Sequence, residues 1–267
     1  MTWTTRPRSK GAGDLSYCRE GQGPSLVLVH GVGLRAEAWN AVSRLLADRF
    51  TVHCIDMPGH GESLLAGAST LDHFVARCRA FVDALRGPVF LAGHSMGAMI
   101  ALELAAQAQS KIAGVAALNA IYRRSESAAQ AVSARAKDVS TVGASKPDET
   151  LARWFGSAPQ GRNAQAAVAC RRWLEATDPV GYATAYRIFA AQDGPADETL
   201  ARMQGPALFQ TGSQDPNSTP GMSREMASKV PAGRVVIVDG AAHMTPMTHP
   251  DEVARALASC FSEQVAE

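Results

Sequence analysis

A serine, an aspartate and a histidine in this 267-residue chain occupy positions from which their side chains could split an acyl bond. Ser95 lies in Gly93-His94-Ser95-Met96-Gly97. The apolar run Val89-Phe90-Leu91-Ala92 precedes it, and Ala98 to Ala105 follows with the composition of a helix. A hydroxyl projected from so sharp a strand-to-helix corner requires strained backbone. Glycines two before and two after remove the side chains that would collide there. The helix start then offers free N–H groups and a positive dipole end to negative charge forming beside Ser95. The five-residue pattern alone is weak, because a serine capping a helix at a glycine-rich turn has the same letters.

A serine hydroxyl is unreactive near neutral pH, so it needs a base, and the base needs an orienter. Two later loops supply candidates. The strand expected at Pro206–Gln210 runs into Thr211-Gly212-Ser213-Gln214-Asp215, and that at Arg234–Val238 into Asp239-Gly240-Ala241-Ala242-His243. In an α/β sheet such loops converge beyond the carboxyl ends of the strands. Asp239 sits only four residues before His243 on one loop and reads as a turn residue. His249 stands next to Pro250, at the entrance to the last helix. His30, His60 and His94 are expected to hold loop backbone by hydrogen bonds.

The elements that must position these residues alternate. Apolar runs at Ser25–His30, Phe50–Ile55, Pro88–Ala92 and Ile112–Leu118 read as buried strands, with Leu15–Glu20 as an edge strand. Helical spacing appears at Ala36–Asp48, Leu71–Leu85 and Met96–Gln107. Such alternation signifies a parallel sheet covered by helices on both faces. It breaks at Tyr122. From there to about Gln204 no strand is evident, and helices are expected near Glu126–Val139, Asp148–Phe155, Asn163–Ala176 and Pro179–Ala190. Strand–helix alternation then resumes and closes with a helix at Asp251–Phe261. The expected organisation is a sheet domain from residues 1–121 and 205–267, with 122–204 inserted as a helical cap.

Five motifs occur in order: His30-Gly31-Val32-Gly33, Asp56-Met57-Pro58-Gly59-His60-Gly61-Glu62-Ser63, the Ser95 pentapeptide, Thr211-Gly212-Ser213-Gln214-Asp215 and Gly240-Ala241-Ala242-His243. On these residues the chain resembles the cap-containing α/β-hydrolases over essentially its whole length. The resemblance implies a mostly parallel twisted sheet flanked by helices, with an inserted helical cap. It implies Ser95 as nucleophile, His243 as general base and then acid, and Asp215 as orienter. The oxyanion hole would come from the backbone N–H groups of Val32 and Met96. Some relatives carry the acid after the strand that precedes the cap; Asn119 stands there and cannot ionise, so the acid falls to Asp215. Two departures are Ala98, where many relatives have a glycine, and Gln214, where an acidic residue is more usual.

The expected activity is hydrolysis of a small carboxylic ester, lactone or enol-lactone through an acyl-serine intermediate. Hydrolysis of a carbon–carbon bond in a vinylogous diketone is the alternative enzyme reading. Those enzymes usually carry Gly-Asn-Ser and a longer oxyanion loop, where this chain has His94 and the short His30–Gly33. A ligand receptor of hydrolase fold is the alternative from another class. Ser95 excludes dehalogenase and epoxide-hydrolase chemistry, which needs a carboxylate in the elbow. The aromatic residues of the insertion, Trp154, Phe155, Trp173, Tyr182, Tyr186 and Phe189, divide between its own packing and the pocket, with Trp154, Trp173 and Tyr186 expected as lining. An arginine facing Ser95 would indicate a carboxylate-bearing substrate, with Arg123, Arg124, Arg153, Arg171, Arg172 and Arg187 as candidates, whereas an apolar pocket would indicate a neutral ester.

Composition narrows the setting. The net charge of +1 gives no footprint for nucleic acid or an anionic membrane, so a small molecule is the expected partner. Five scattered cysteines without a C-x-x-C pair suit reduced thiols and no metal site, and no dinucleotide fingerprint calls for an organic cofactor. Met1–Lys10 lacks an apolar signal core, and no run reaches membrane-spanning length. A cytoplasmic location is expected, and nothing in the sequence specifies an oligomeric state.

Overall fold

The computed structural model describes residues 3–142 and 147–261. Residues 1–2, 143–146 and 262–267, which fall within the sheet-domain and cap ranges given above, lie outside the described residues.

Eight strands form one sheet in the order β1-β2-β4-β3-β5-β6-β7-β8. They are β1 (Ser9–Gly11), β2 (Leu15–Glu20), β3 (Ser25–Val29), β4 (Thr51–Ile55), β5 (Val89–His94), β6 (Ile112–Leu118), β7 (Ala207–Gly212) and β8 (Gly233–Val238). The first two pair antiparallel, β2 joins β4 antiparallel, and every later neighbour is parallel. Leu15–Glu20 is therefore the second strand and not the edge. The edge is Ser9-Lys10-Gly11, which has no apolar pattern to announce it.

Strand periodicity accounts for the two-sided core. In β3, Val27 and Val29 join one apolar cluster and Leu26 and Leu28 the other; in β5, Leu91 and Phe90 divide the same way. Helices α1 (Asn40–Leu46) and α11 (Pro250–Phe261) cover one face through Val42, Leu46, Val253 and Leu257. Helices α2 (Leu71–Asp83) and α3 (Met96–Gln107) cover the other through Phe74, Val75, Ile100 and Leu104. The helix expected at Ala36 starts as a 3₁₀ turn, Ala36–Trp39, before the α-helical part.

Between β6 and β7 the chain forms α4 (Glu126–Val142), α5 (Pro147–Phe155), α6 (Gly161–Ala176), α7 (Pro179–Ala190) and α8 (Asp197–Ala201). The start of α7 is written locally: Asp178 accepts the Gly181 N–H and Pro179 occupies the first turn. Leu151, Phe155, Cys170, Leu174 and Ile188 join this insertion to the apolar cluster on the α2–α3 face of the sheet. Helices α9 (Pro220–Ser228) and α10 (Thr245–Thr248) and a 3₁₀ turn at Ala12–Asp14 complete the described elements. Among the described residues no helix is long and apolar enough to cross a membrane.

Candidate active site

The corner at Ser95 is as tight as its sequence requires. Strand β5 ends at His94, α3 begins at Met96, and Ser95 between them has φ 56° and ψ −119°. That conformation costs a side-chain-bearing residue of order 1–3 kcal/mol and persists only where its surroundings enforce it. Here the Ser95 N–H donates to the Leu118 carbonyl at 2.8 Å, and the Ser95 carbonyl accepts from Ala98 at 2.9 Å. Gly97 is fixed by contact: a Cβ there would lie 2.2 Å from the Val29 carbonyl oxygen and 2.5 Å from that of His30. Gly31 is likewise pressed against the corner, where a Cβ would come within 2.9 Å of the Ser95 Cβ. The segment carrying Val32 thus passes directly by the serine. Met96, as first residue of α3, has an N–H with no acceptor inside its own helix.

His243 and Asp215 meet from neighbouring strand ends. The His243 Nδ1–H donates to Asp215 Oδ2 at 2.8 Å, which leaves Nε2 as the ring nitrogen with a free lone pair. Both side chains are buried. Asp215 Oδ2 also accepts from Asn119 Nδ2 at 2.8 Å, and Oδ1 accepts the N–H groups of Asn217 and Ser218 at 2.9 and 3.1 Å. Burial alone would raise the Asp215 pKa. The nearby His243 and these hydrogen bonds more than offset it and hold the carboxyl below its usual range. Asp239 takes no part in this cluster; its carboxylate accepts from Ser213 Oγ at 3.3 Å.

Asn119 is a contact that sequence reasoning passed over after rejecting it as the acid. Its amide donates to Asp215, its oxygen accepts from Thr245 Oγ1 at 2.5 Å, and its backbone sits at φ 51°. The signal was its place at the end of β6, beside the strand that delivers Asp215.

The three other motif histidines bridge loops. His30 Nδ1 donates to the Gly31 carbonyl at 2.7 Å while Nε2 accepts the Met57 N–H at 3.0 Å. His60 Nδ1 donates to the Pro58 carbonyl and Nε2 accepts the Gly33 N–H at 3.0 Å. Together they tie the Gly31–Gly33 loop to the Asp56–Ser63 loop. Arg8 reinforces the same region with buried ion pairs to Glu37 at 2.6 Å and Asp56 at 2.7 Å. His94 Nε2 donates to the His243 carbonyl at 2.8 Å, so the residue before the serine fixes the backbone of the histidine.

Ser95, His243 and Val32 open into one cavity of about 450 Å³, roofed by residues of the insertion. Trp154, Tyr182, Tyr186 and Phe189 line it. Trp173 does not. It lines two surface clefts instead, one with Leu34 and Asp178 and one with Trp3 and Arg172. The reason is rotation about α6, where Cys170 and Leu174 take the inward face and Trp173 stands about 100° round from Leu174. Phe155 is core packing. Of the arginine candidates, Arg124 and Arg153 reach the cavity, and so does Arg135, which was not among them. Arg123 pairs instead with Asp197 and Glu225, and Arg171 with Asp148. Among the described residues no group of three or more His, Cys, Asp or Glu side chains is placed to hold a metal ion.

Comparison with known proteins places this geometry. Residues 26–256 match the alpha/beta hydrolase family. The (E)-2-((N-methylformamido)methylene)succinate hydrolase of Acinetobacter baylyi is 37% identical over 243 residues, which is 90% of this chain and 91% of that protein. The pimeloyl-[acyl-carrier protein] methyl ester esterase of Chromobacterium violaceum is 28% identical over 91% of this chain and 96% of its own length. The solved enol-lactonase of Burkholderia xenovorans LB400 superposes with a TM-score of 0.85 at 25% identity, covering 96% of this chain and 100% of its own. A sheet in this order, an elbow serine and a match over most of the chain lead to one statement: the protein belongs to the alpha/beta hydrolase family and is a hydrolytic enzyme.

Proposed function

We propose that the protein is a serine hydrolase that cleaves a small ester, lactone, enol-lactone or N-acyl compound through an acyl-serine intermediate. The observation that carries this reading is the hydrogen-bonded Asp215–His243 pair, whose free Nε2 shares one cavity with the strained Ser95. In the reading, Nε2 takes the Ser95 proton as Oγ attacks the acyl carbon. The oxyanion so formed is received by the N–H groups of Val32 and Met96. Imidazolium, steadied by Asp215, returns the proton to the leaving group. Water, deprotonated by the same nitrogen, then releases the acid and regenerates Ser95.

Three of these relatives support the substrate class. One is named for an N-acyl group on a succinate, one for a methyl ester and one for an enol-lactone; each has an acyl carbon bonded to oxygen or nitrogen. Residues 122–204 are read as the cap and Trp154 and Tyr186 as pocket residues. The setting is read as the cytoplasm, because all five cysteines are buried and none forms a disulfide. Ser95→Ala should lower hydrolysis of 4-nitrophenyl butyrate by on the order of 10⁴-fold with the fold retained. Wild-type turnover by that variant would overturn the reading.

A further inference from the structure

We propose that the insertion side of the Ser95 cavity is a dicarboxylate-binding subsite, in which Arg124, Arg135 and Arg153 hold two carboxylates of the substrate. The proposal rests on the reading of Ser95 as the reacting group and adds what that group reacts with.

Three guanidiniums line one cavity from three separate elements: Arg124 on the segment after β6, Arg135 on α4 and Arg153 on α5. Among the described residues, no aspartate or glutamate lines that cavity. The arginines are held by neutral partners. Arg135 Nε donates to Tyr186 Oη at 3.1 Å, and Arg153 Nη2 donates to Thr150 Oγ1 at 3.0 Å; neither forms an ion pair among the described residues. Arg124 has one carboxylate, Asp193 at 3.2 Å, on an exposed side chain.

The Arg124 side chain is only 4% exposed. Its Nη2 donates to the carbonyls of Phe189, Ala190 and Gln192, and its Cζ lies 5.2 Å from the centroid of the Phe189 ring. Its Nη1 is buried and has no protein partner. A buried charged donor left unpaired is costly, and a carboxylate is the acceptor that best removes that cost. Like charges are also gathered here: burial lowers the Arg153 pKa and the neighbouring Arg135 lowers it further. Arg135 and Arg153 form no ion pair among the described residues, and Glu149, near enough to raise the Arg153 pKa, does not line the cavity. Two guanidiniums are thus left to take a carboxylate each, which matches a dianion. The forked guanidinium suits carboxylate geometry in a way an apolar ester pocket would not.

The test compares two esters and one free acid. Wild-type enzyme should show a kcat/KM for the 4-nitrophenyl monoester of propane-1,2,3-tricarboxylate, which keeps two free carboxylates, at least about tenfold above that for 4-nitrophenyl butyrate, and succinate but not succinamide should compete with the butyrate ester. Arg135→Gln and Arg153→Gln should each cut the ratio of the two kcat/KM values about tenfold or more, with Arg→Lys variants keeping part of it. Equal or reversed preference in wild type, or no competition by succinate, overturns the subsite even if neither variant folds. So does an unchanged ratio in folded variants. Succinate binding by calorimetry reads the subsite without turnover. Loss of both activities with succinate binding intact would therefore count against Ser95 chemistry and leave the subsite standing.

Discussion

Acidification to about pH 5 should remove a large share of the folding stability, through histidines that the fold keeps neutral. His30 uses one ring nitrogen as donor and the other as acceptor, so a second proton would be set against the Met57 N–H. Burial pushes its pKa down to about 3. Burial, with His243 nearby, pushes His94 down to about 3 as well, and burial takes His53 to about 4. Each folded value lies below the roughly 6.5 of the unfolded chain, so only the unfolded chain takes up a proton as pH falls through that window. The stability these groups contribute is therefore complete above about pH 6.5 and is lost below it. By linkage the loss at about pH 5 is about 2 kcal/mol per histidine, or about 6 kcal/mol for the three, against a typical total of about 5–15. Asp215, held below the usual carboxylate range, stays ionised across the window. Urea unfolding of wild type and His94→Gln at about pH 7.5 and about pH 5 separates one group from the rest. The glutamine amide keeps a donor for the His243 carbonyl and removes one titration. The variant should lose about 2 kcal/mol less than wild type between the two pH values, whatever its stability at either. Equal losses would refute the assignment of His94 as a buried neutral group.

Asp215→Asn should keep the shape of the cluster and lower the rate by up to about 10⁴-fold, while Asp239→Asn should stay within about threefold of wild type. Equal rates for Asp215→Asn and wild type would reverse the choice of acid. Gly97→Ala places a Cβ 2.2 Å from a backbone oxygen and should cost several kcal/mol, whereas Gly240→Ala, at φ 67° in open space, should cost about 1 kcal/mol by thermal unfolding. Equal costs would contradict the crowding at the elbow. Exhaustive dialysis against a strong chelator should leave ester hydrolysis unchanged, and a loss restored by one divalent ion would contradict metal-free chemistry.

The features that were legible in the sequence are those fixed by local backbone demands. Gly93-His94-Ser95-Met96-Gly97 allows few arrangements, because Gly97 abuts the Val29 and His30 carbonyls. Asp215 and His243 could be placed because each follows an apolar strand, and parallel strands bring their ends together. The insertion was legible only as helices. Which face each helix turns inward depends on packing between elements far apart in sequence, so one step of rotation put Trp173 outside the cavity and Arg135 inside it. Short elements escaped for another reason: Ser9–Gly11 and Thr245–Thr248 are too brief to carry a period. Asn119 was readable as a non-acid but not as the anchor of Asp215, since that bond spans residues brought together only by the β6–β7 pairing.

Covalent labelling reads whether Ser95 is the nucleophile. The enzyme is treated with less than one equivalent of a fluorophosphonate, and the label is located by peptide mass spectrometry while residual ester hydrolysis is measured. Label is expected on Ser95, with activity lost in proportion to its occupancy and no labelling of Ser95→Ala. Full activity in protein labelled at Ser95, or inactivation by label at another residue with Ser95 unmodified, would contradict it.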